Sequence, residues 1–90
     1  MIPPESVVQR KIISQLKKAG WIVDKPVNRS HKGFPDLTAY RNGKTVFVEV
    51  KRPGGKTTKL QEFWINTLNK NGFLAIVIDN WKELKKYGLI

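Results

Sequence analysis

The chain has no cysteine. Disulfides and cysteine-ligated zinc are therefore excluded, and a reducing, cytoplasmic setting fits. A single histidine, His31, also excludes a zinc centre built on histidines alone. Acidic residues are scarce: 7 Asp and Glu stand against 17 Lys and Arg, for a formal net charge of +10. Long apolar runs are missing. No segment approaches the roughly 20 residues of a membrane-spanning helix. The start, Met1-Ile2-Pro3-Pro4-Glu5, lacks the apolar stretch of a secretory signal. Repeats and low-complexity segments are absent too. What is there is 90 residues, the size of one small domain, 1–90, with a modest core.

The charge favours a polyanionic partner, nucleic acid before membrane. A membrane-binding chain would gather its cations into a tail or an amphipathic basic helix. Here they are spread along the whole sequence.

Periodicity gives an α/β order, αβββαβα, with a mixed four-stranded sheet flanked by helices. Pro3-Pro4 leads into a helix over Glu5–Ala19 with Gly20 just beyond it. Its apolar stripe is Val8, Ile12, Leu16 and Ala19. Trp21–Val23 is a short strand. Asp36–Arg41 and Lys44–Lys51 are hairpin strands around Asn42-Gly43, the strongest short hairpin signal. Leu37, Ala39, Val46, Val48 and Val50 share one face and pack on a helix layer. A second helix spans Lys59–Asn71, a buried strand Phe73–Ile78, and a last short helix Trp81–Tyr87, capped by Asp79 or Asn80.

A two-residue loop at Asn42-Gly43 sets Arg41 opposite Lys44 and Asp36 opposite Glu49. Opposed side chains have Cβ atoms roughly 5 Å apart, and like charges there repel. A divalent cation is the simplest compensation. Lys51 falls on the same face as Glu49. Two carboxylates with a nearby ammonium are the equipment for metal-assisted phosphodiester hydrolysis. Mg²⁺ needs one or two carboxylates and keeps several waters. Asp36 and Glu49 supply the carboxylates, and the Val50 carbonyl is a candidate third oxygen. Lys51 would orient the attacking water or stabilise charge on the phosphorane.

Each residue also has a plainer reading. Asp36 is a common residue at a loop edge. Glu49 could simply pair with Lys51. Glu5 lies at the helical spacing of the inward stripe, yet a carboxylate at a helix N-terminus also suits the dipole. Gln61 fits a capping box with Thr58, or could reach a water or phosphate. His31 beside Arg29 and Lys32 is better suited to phosphate contact than to catalysis. Trp21, Trp64 and Trp81 suit core or interface packing more than base stacking.

The residues Pro35-Asp36 and Glu49-Val50-Lys51 resemble the PD-(D/E)xK nuclease superfamily. The closer resemblance is to the VRR-NUC family, and it covers nearly the whole chain. It rests on Glu5, Gly33-Phe34-Pro35-Asp36, Val48-Glu49-Val50-Lys51-Arg52-Pro53-Gly54-Gly55, Thr58, Gln61 and Trp64. The resemblance implies a restriction-endonuclease-like fold and Mg²⁺- or Mn²⁺-dependent cleavage of DNA. It makes Glu5, Asp36, Glu49, Lys51 and Gln61 the expected catalytic residues, with Asp36, Glu49, Val50 and Glu5 around the metal. Arg29, His31, Lys32, Arg52, Lys56 and Lys59 are the expected DNA contacts. Small stand-alone members look like homodimeric Holliday-junction resolvases, often from phages, which would place this chain in a host-cell cytoplasm. Phe47, Trp81, Tyr87, Leu89 and Ile90 are candidate dimer-interface residues. The main alternative is a non-catalytic nucleic-acid-binding module on the same basic scaffold. A weaker one is a module that binds an acidic protein.

Overall fold

The computed structural model describes residues 1–26 and 30–90. The elements follow the expected order: α1 (Glu5–Lys18), β1 (Ile22–Asp24), β2 (Leu37–Arg41), β3 (Lys44–Val50), α2 (Lys59–Lys70), β4 (Leu74–Ile78) and a 3₁₀ helix (Trp81–Tyr87). The sheet order is β1-β2-β3-β4. β1, β2 and β3 are antiparallel neighbours, and β4 joins β3 in parallel. The parallel step is made through α2, since parallel neighbours need a crossover.

Strand alternation gives the sheet two unlike faces. One face carries Leu37, Ala39, Val46, Val48, Val50, Ile76 and Ile78, all buried. They meet Val8, Ile12 and Leu16 of α1, with Leu84 of the 3₁₀ helix and Leu89 beyond it. Ala19, the last member of the expected stripe, packs against this cluster from its edge. The other face carries Thr38, Phe47, Glu49 and Val77 and lies under α2.

Three expectations need correction. Trp21 does not open the first strand. Its backbone N–H closes the end of α1 on the Leu16 carbonyl, so it cannot also enter the ladder. Its indole N–H donates to the Leu89 carbonyl at 2.8 Å. Leu89 is therefore a core residue, 4% exposed, rather than an interface candidate. Its own N–H returns to the Leu84 carbonyl, which turns the chain end inward. Glu5 is exposed and does not face inward: the buried stripe begins at Val8, almost a full turn later. The last helix winds as 3₁₀ over 7 residues, and its cap is Asn80, whose side chain accepts from the Lys82 N–H.

Candidate active site

The hairpin turn has two central residues with positive φ, Asn42 at 50° and Gly43 at 76°. That is the type I′ geometry whose twist matches the strands it joins. The register follows: Arg41 pairs with Lys44, and Leu37 with Val48. One further step sets Asp36 across from Glu49. Pro35 is fully buried just ahead of Asp36 and anchors the strand start. The Asp36 carboxylate accepts the Val50 backbone N–H at 3.0 Å, so the first strand of the hairpin holds the end of the second.

Glu49 is 2% exposed. Its Oε2 accepts from the Gln61 amide at 3.3 Å and lies 3.6 Å from the Lys51 ammonium. Its Oε1 is buried with no hydrogen-bond partner among the described residues. Burial pushes this carboxyl up to about 8, and the Asp36 carboxyl beside it pushes the same way, while Lys51 pulls against them. A buried acceptor left unpaired is costly. The two acids and the orphaned oxygen form a donor set of the hard, anionic kind that divalent cations take. The residues present therefore fit such an ion. Lys51 is itself placed by the sheet, because its backbone N–H donates to the Ile78 carbonyl at 3.0 Å.

Gln61 does both of the things its position allowed. Thr58 and Gln61 form a full capping box at the start of α2. The Gln61 Oε1 accepts the Thr58 N–H at 2.9 Å. That bond fixes the amide orientation, because a backbone N–H can only donate. The Nε2 group is thereby aimed at Glu49. One side chain caps the helix and ties it to the buried acid.

The loop before Asp36 is seated on α2. Gly33 has φ of 81°, and a Cβ there would stand 2.8 Å from the Leu60 side chain, so the close approach needs glycine. The Trp64 indole N–H donates to the Lys32 carbonyl at 3.1 Å. The His31 ring lies 4.5 Å from the Trp64 ring. Phe34 and Phe47 continue the packing at 5.5 Å, edge to face, and Phe47 meets Phe73 in the same way. This aromatic layer went unread in the sequence. Its signal was Phe47 on the Glu49 face, together with Gln61 and Trp64 three residues apart on one side of a helix.

Asp36, Glu49, Lys51 and Gln61 thus stand together, with Val50 between the acids and the amine. Glu5 sits apart in the first turn of α1. Among the described residues no group of three or more His, Cys, Asp or Glu gathers in one place. Arg52 and Lys56 lie exposed on the segment joining β3 to α2, Lys59 lies exposed at the start of α2, and His31 and Lys32 lie exposed before β2. Arg29 falls outside the described residues. No described helix is long and apolar enough to cross a membrane.

This sheet and its helices superpose on a solved structure described as a VRR_NUC domain. The TM-score is 0.80 at 27% identity, over 91% of this chain and 90% of that one. The family model of the VRR-NUC domain matches residues 3–80. The chain is also 38% identical over 77 residues to a protein named "Putative nuclease p44" from Acyrthosiphon pisum secondary endosymbiont phage 1, covering 84% of this chain and 83% of that one. The chain belongs to the VRR-NUC family and is a nuclease.

Proposed function

We propose that this chain is a divalent-metal-dependent, structure-selective DNA endonuclease that cuts branched DNA such as Holliday junctions and works as a homodimer. The observation that carries the reading is Glu49: buried, facing Asp36, with one oxygen that has no hydrogen-bond partner among the described residues.

Asp36 and Glu49 would hold Mg²⁺ or Mn²⁺, with the Val50 carbonyl as a third oxygen; Glu5, exposed on α1, stands outside this set. Such an ion supplies charge neutralisation at the phosphate and a more acidic water. The protein's own groups do the rest. Without the ion Glu49 keeps a proton near neutral pH, because its burial and the neighbouring Asp36 carboxyl both disfavour its charge. A bound cation would favour its ionised form, so Glu49 would then serve as a carboxylate ligand. The Gln61 amide holds Glu49 Oε2 and so directs Oε1 into the site. The Val50 N–H holds Asp36. Lys51 orients the attacking water or stabilises negative charge building on the phosphorane. Arg29, His31, Lys32, Arg52, Lys56 and Lys59 would contact the phosphate backbone around the scissile bond. A two-fold dimer would present two such sites to the symmetry-related strands of a junction.

The test is a cleavage panel of labelled four-way junction, flap and linear duplex, each with Mg²⁺, Mn²⁺ or EDTA. Metal-dependent cutting that favours branched substrates is expected. Cutting in EDTA, or none on any DNA, would overturn the reading. Sedimentation of the protein–junction complex gives the number of copies bound.

A further inference from the structure

The hairpin-turn end of the molecule carries a second feature that the cutting site does not use. A cavity of about 510 Å³ opens there, with Arg41, Lys44, Phe73 and Tyr87 in its wall and no acidic residue among the described residues that line it. Arg41 is fixed in place: its guanidinium donates to the Ala19 carbonyl at 2.8 Å and lies 4.4 Å over the Trp21 ring. Lys44 is exposed at the turn. Phe73 and Tyr87 are each 43% exposed.

The chain brings more cations to this end. The last turns of α1, α2 and the 3₁₀ helix all finish beside the cavity, through Gly20-Trp21, Gly72 and Gly88. Those turns carry Lys17, Lys18, Lys70 and Lys85. None of these four, nor Arg41 or Lys44, pairs with a described carboxylate. Lys86 does, with Glu83 at 3.8 Å. Cations at helix C-termini are expected to offset the dipole, but each helix end carries only about half a negative charge. Against three such ends, these six cations leave an excess of about four to five positive charges around the cavity. Concentrated charge of one sign, with exposed aromatic rings among it, is the footprint of a nucleic-acid strand.

Its placement says which part of the substrate it would meet. Lys44 and Glu49 lie five residues apart on β3, about 17 Å. They also point to opposite faces of the sheet. A straight duplex lying over the carboxylates would leave the cavity free, whereas a second arm bending away from a branch point would reach it. We infer that this basic cavity binds the phosphate backbone of a second DNA arm, and that branch selectivity arises from engaging it together with the carboxylate site. The inference rests on the DNA-cutting reading above. It is tested by binding rather than by cutting.

The variant is Lys44→Glu combined with Lys85→Glu, both exposed and outside the core, with circular dichroism to confirm folding. Affinities for a four-way junction and for a linear duplex of equal length are measured by fluorescence anisotropy in EDTA across a salt series. For the junction we expect about a tenfold loss and a salt slope smaller by about two. For linear duplex the loss should stay under about threefold and the slope should hold. An equal loss on both DNAs marks ordinary surface charge and overturns the inference, as does no loss on either. Asp36→Ala, run alongside, should bind both DNAs like the wild type. A wild-type protein that binds neither DNA would retire the DNA reading itself along with this one. A protein that binds and cuts junctions while the double variant is unaffected would retire only the second-arm site.

Discussion

The two faces of the sheet solve different problems. The α1 face is aliphatic, and Ile12, Leu16, Leu37 and Val48 have no exposure at all. Its residues are interchangeable in kind, and their work is to exclude water. The α2 face is aromatic and incomplete. No residue of α2 is fully buried, and Phe63, at 55% exposure, remains in solvent. Yet this weaker face holds the buried acid, the amide that grips it and the loop that presents Asp36. The stable face can afford a site on its reverse that is electrostatically unfavourable when empty, as functional sites commonly are. The lesson is that stability and function lie on opposite sides of one strand, β3, whose alternate residues serve each in turn.

The sharpest way to break that comparison is to mutate each side and read both outputs. Asp36→Ala or Lys51→Ala should reduce cutting by at least about a thousandfold, while the protein stays folded and junction binding stays near wild type. A variant that cuts normally would mean the site has been misassigned. Ile12→Ala, on the other face, should lower unfolding free energy by about 2–5 kcal/mol in a urea titration. Cutting at low temperature should persist in whatever fraction remains folded. Loss of cutting in the fully folded fraction would show that the two faces are not separable.

Glu49→Gln sharpens the same contrast through pH. In the folded state Glu49 is raised to about 8 from 4.5. Between those values the folded protein keeps a proton that the unfolded chain has released, so stability falls as pH rises through that window. Below it the Glu49 contribution is fully present. The amide cannot ionise. The variant should therefore be more stable than wild type by about 1–3 kcal/mol at pH 9 in EDTA. The gap should close toward pH 5, and cutting should be lost throughout. Adding Mg²⁺ should raise the wild-type midpoint more at pH 8.5 than at pH 6, and should leave the variant unmoved. Parallel pH–stability curves for the two proteins would contradict this.

Smaller effects belong to the join between α2 and the site. Thr58→Ala removes the cap that orients Gln61 and should lower stability by about 1 kcal/mol, with a several-fold drop in cutting rate. Phe63→Ala, on the open side of α2, should change monomer stability by less than about 0.5 kcal/mol. A larger loss that depends on protein concentration would mean that the ring is covered in a dimer.

Much of this molecule was readable from local patterns. The Asn42-Gly43 turn, with alternating residues on either side, specified the hairpin register. The register placed Asp36 against Glu49 with Lys51 on the same face. These are short-range consequences of a period of two and a turn that only certain residues adopt. The first strand begins one residue later than the apolar pattern indicates, because the Trp21 backbone N–H is taken by the Leu16 carbonyl at the end of α1. Glu5 was misjudged because helical spacing gives a direction but not the point at which the covering layer stops.

Sequence alone therefore determined the elements, the family and the pairing of the two acids, since each depends on neighbours within a strand or across a two-residue turn. Only the tertiary structure decided that Gln61 would cap a helix and grip Glu49 at once. It also decided that an aromatic layer would seat the loop before Asp36, and that three helix ends would pool their lysines at the far end of the sheet. Those arrangements join residues far apart in the chain. Their distances are fixed by the packing of whole elements rather than by any local repeat.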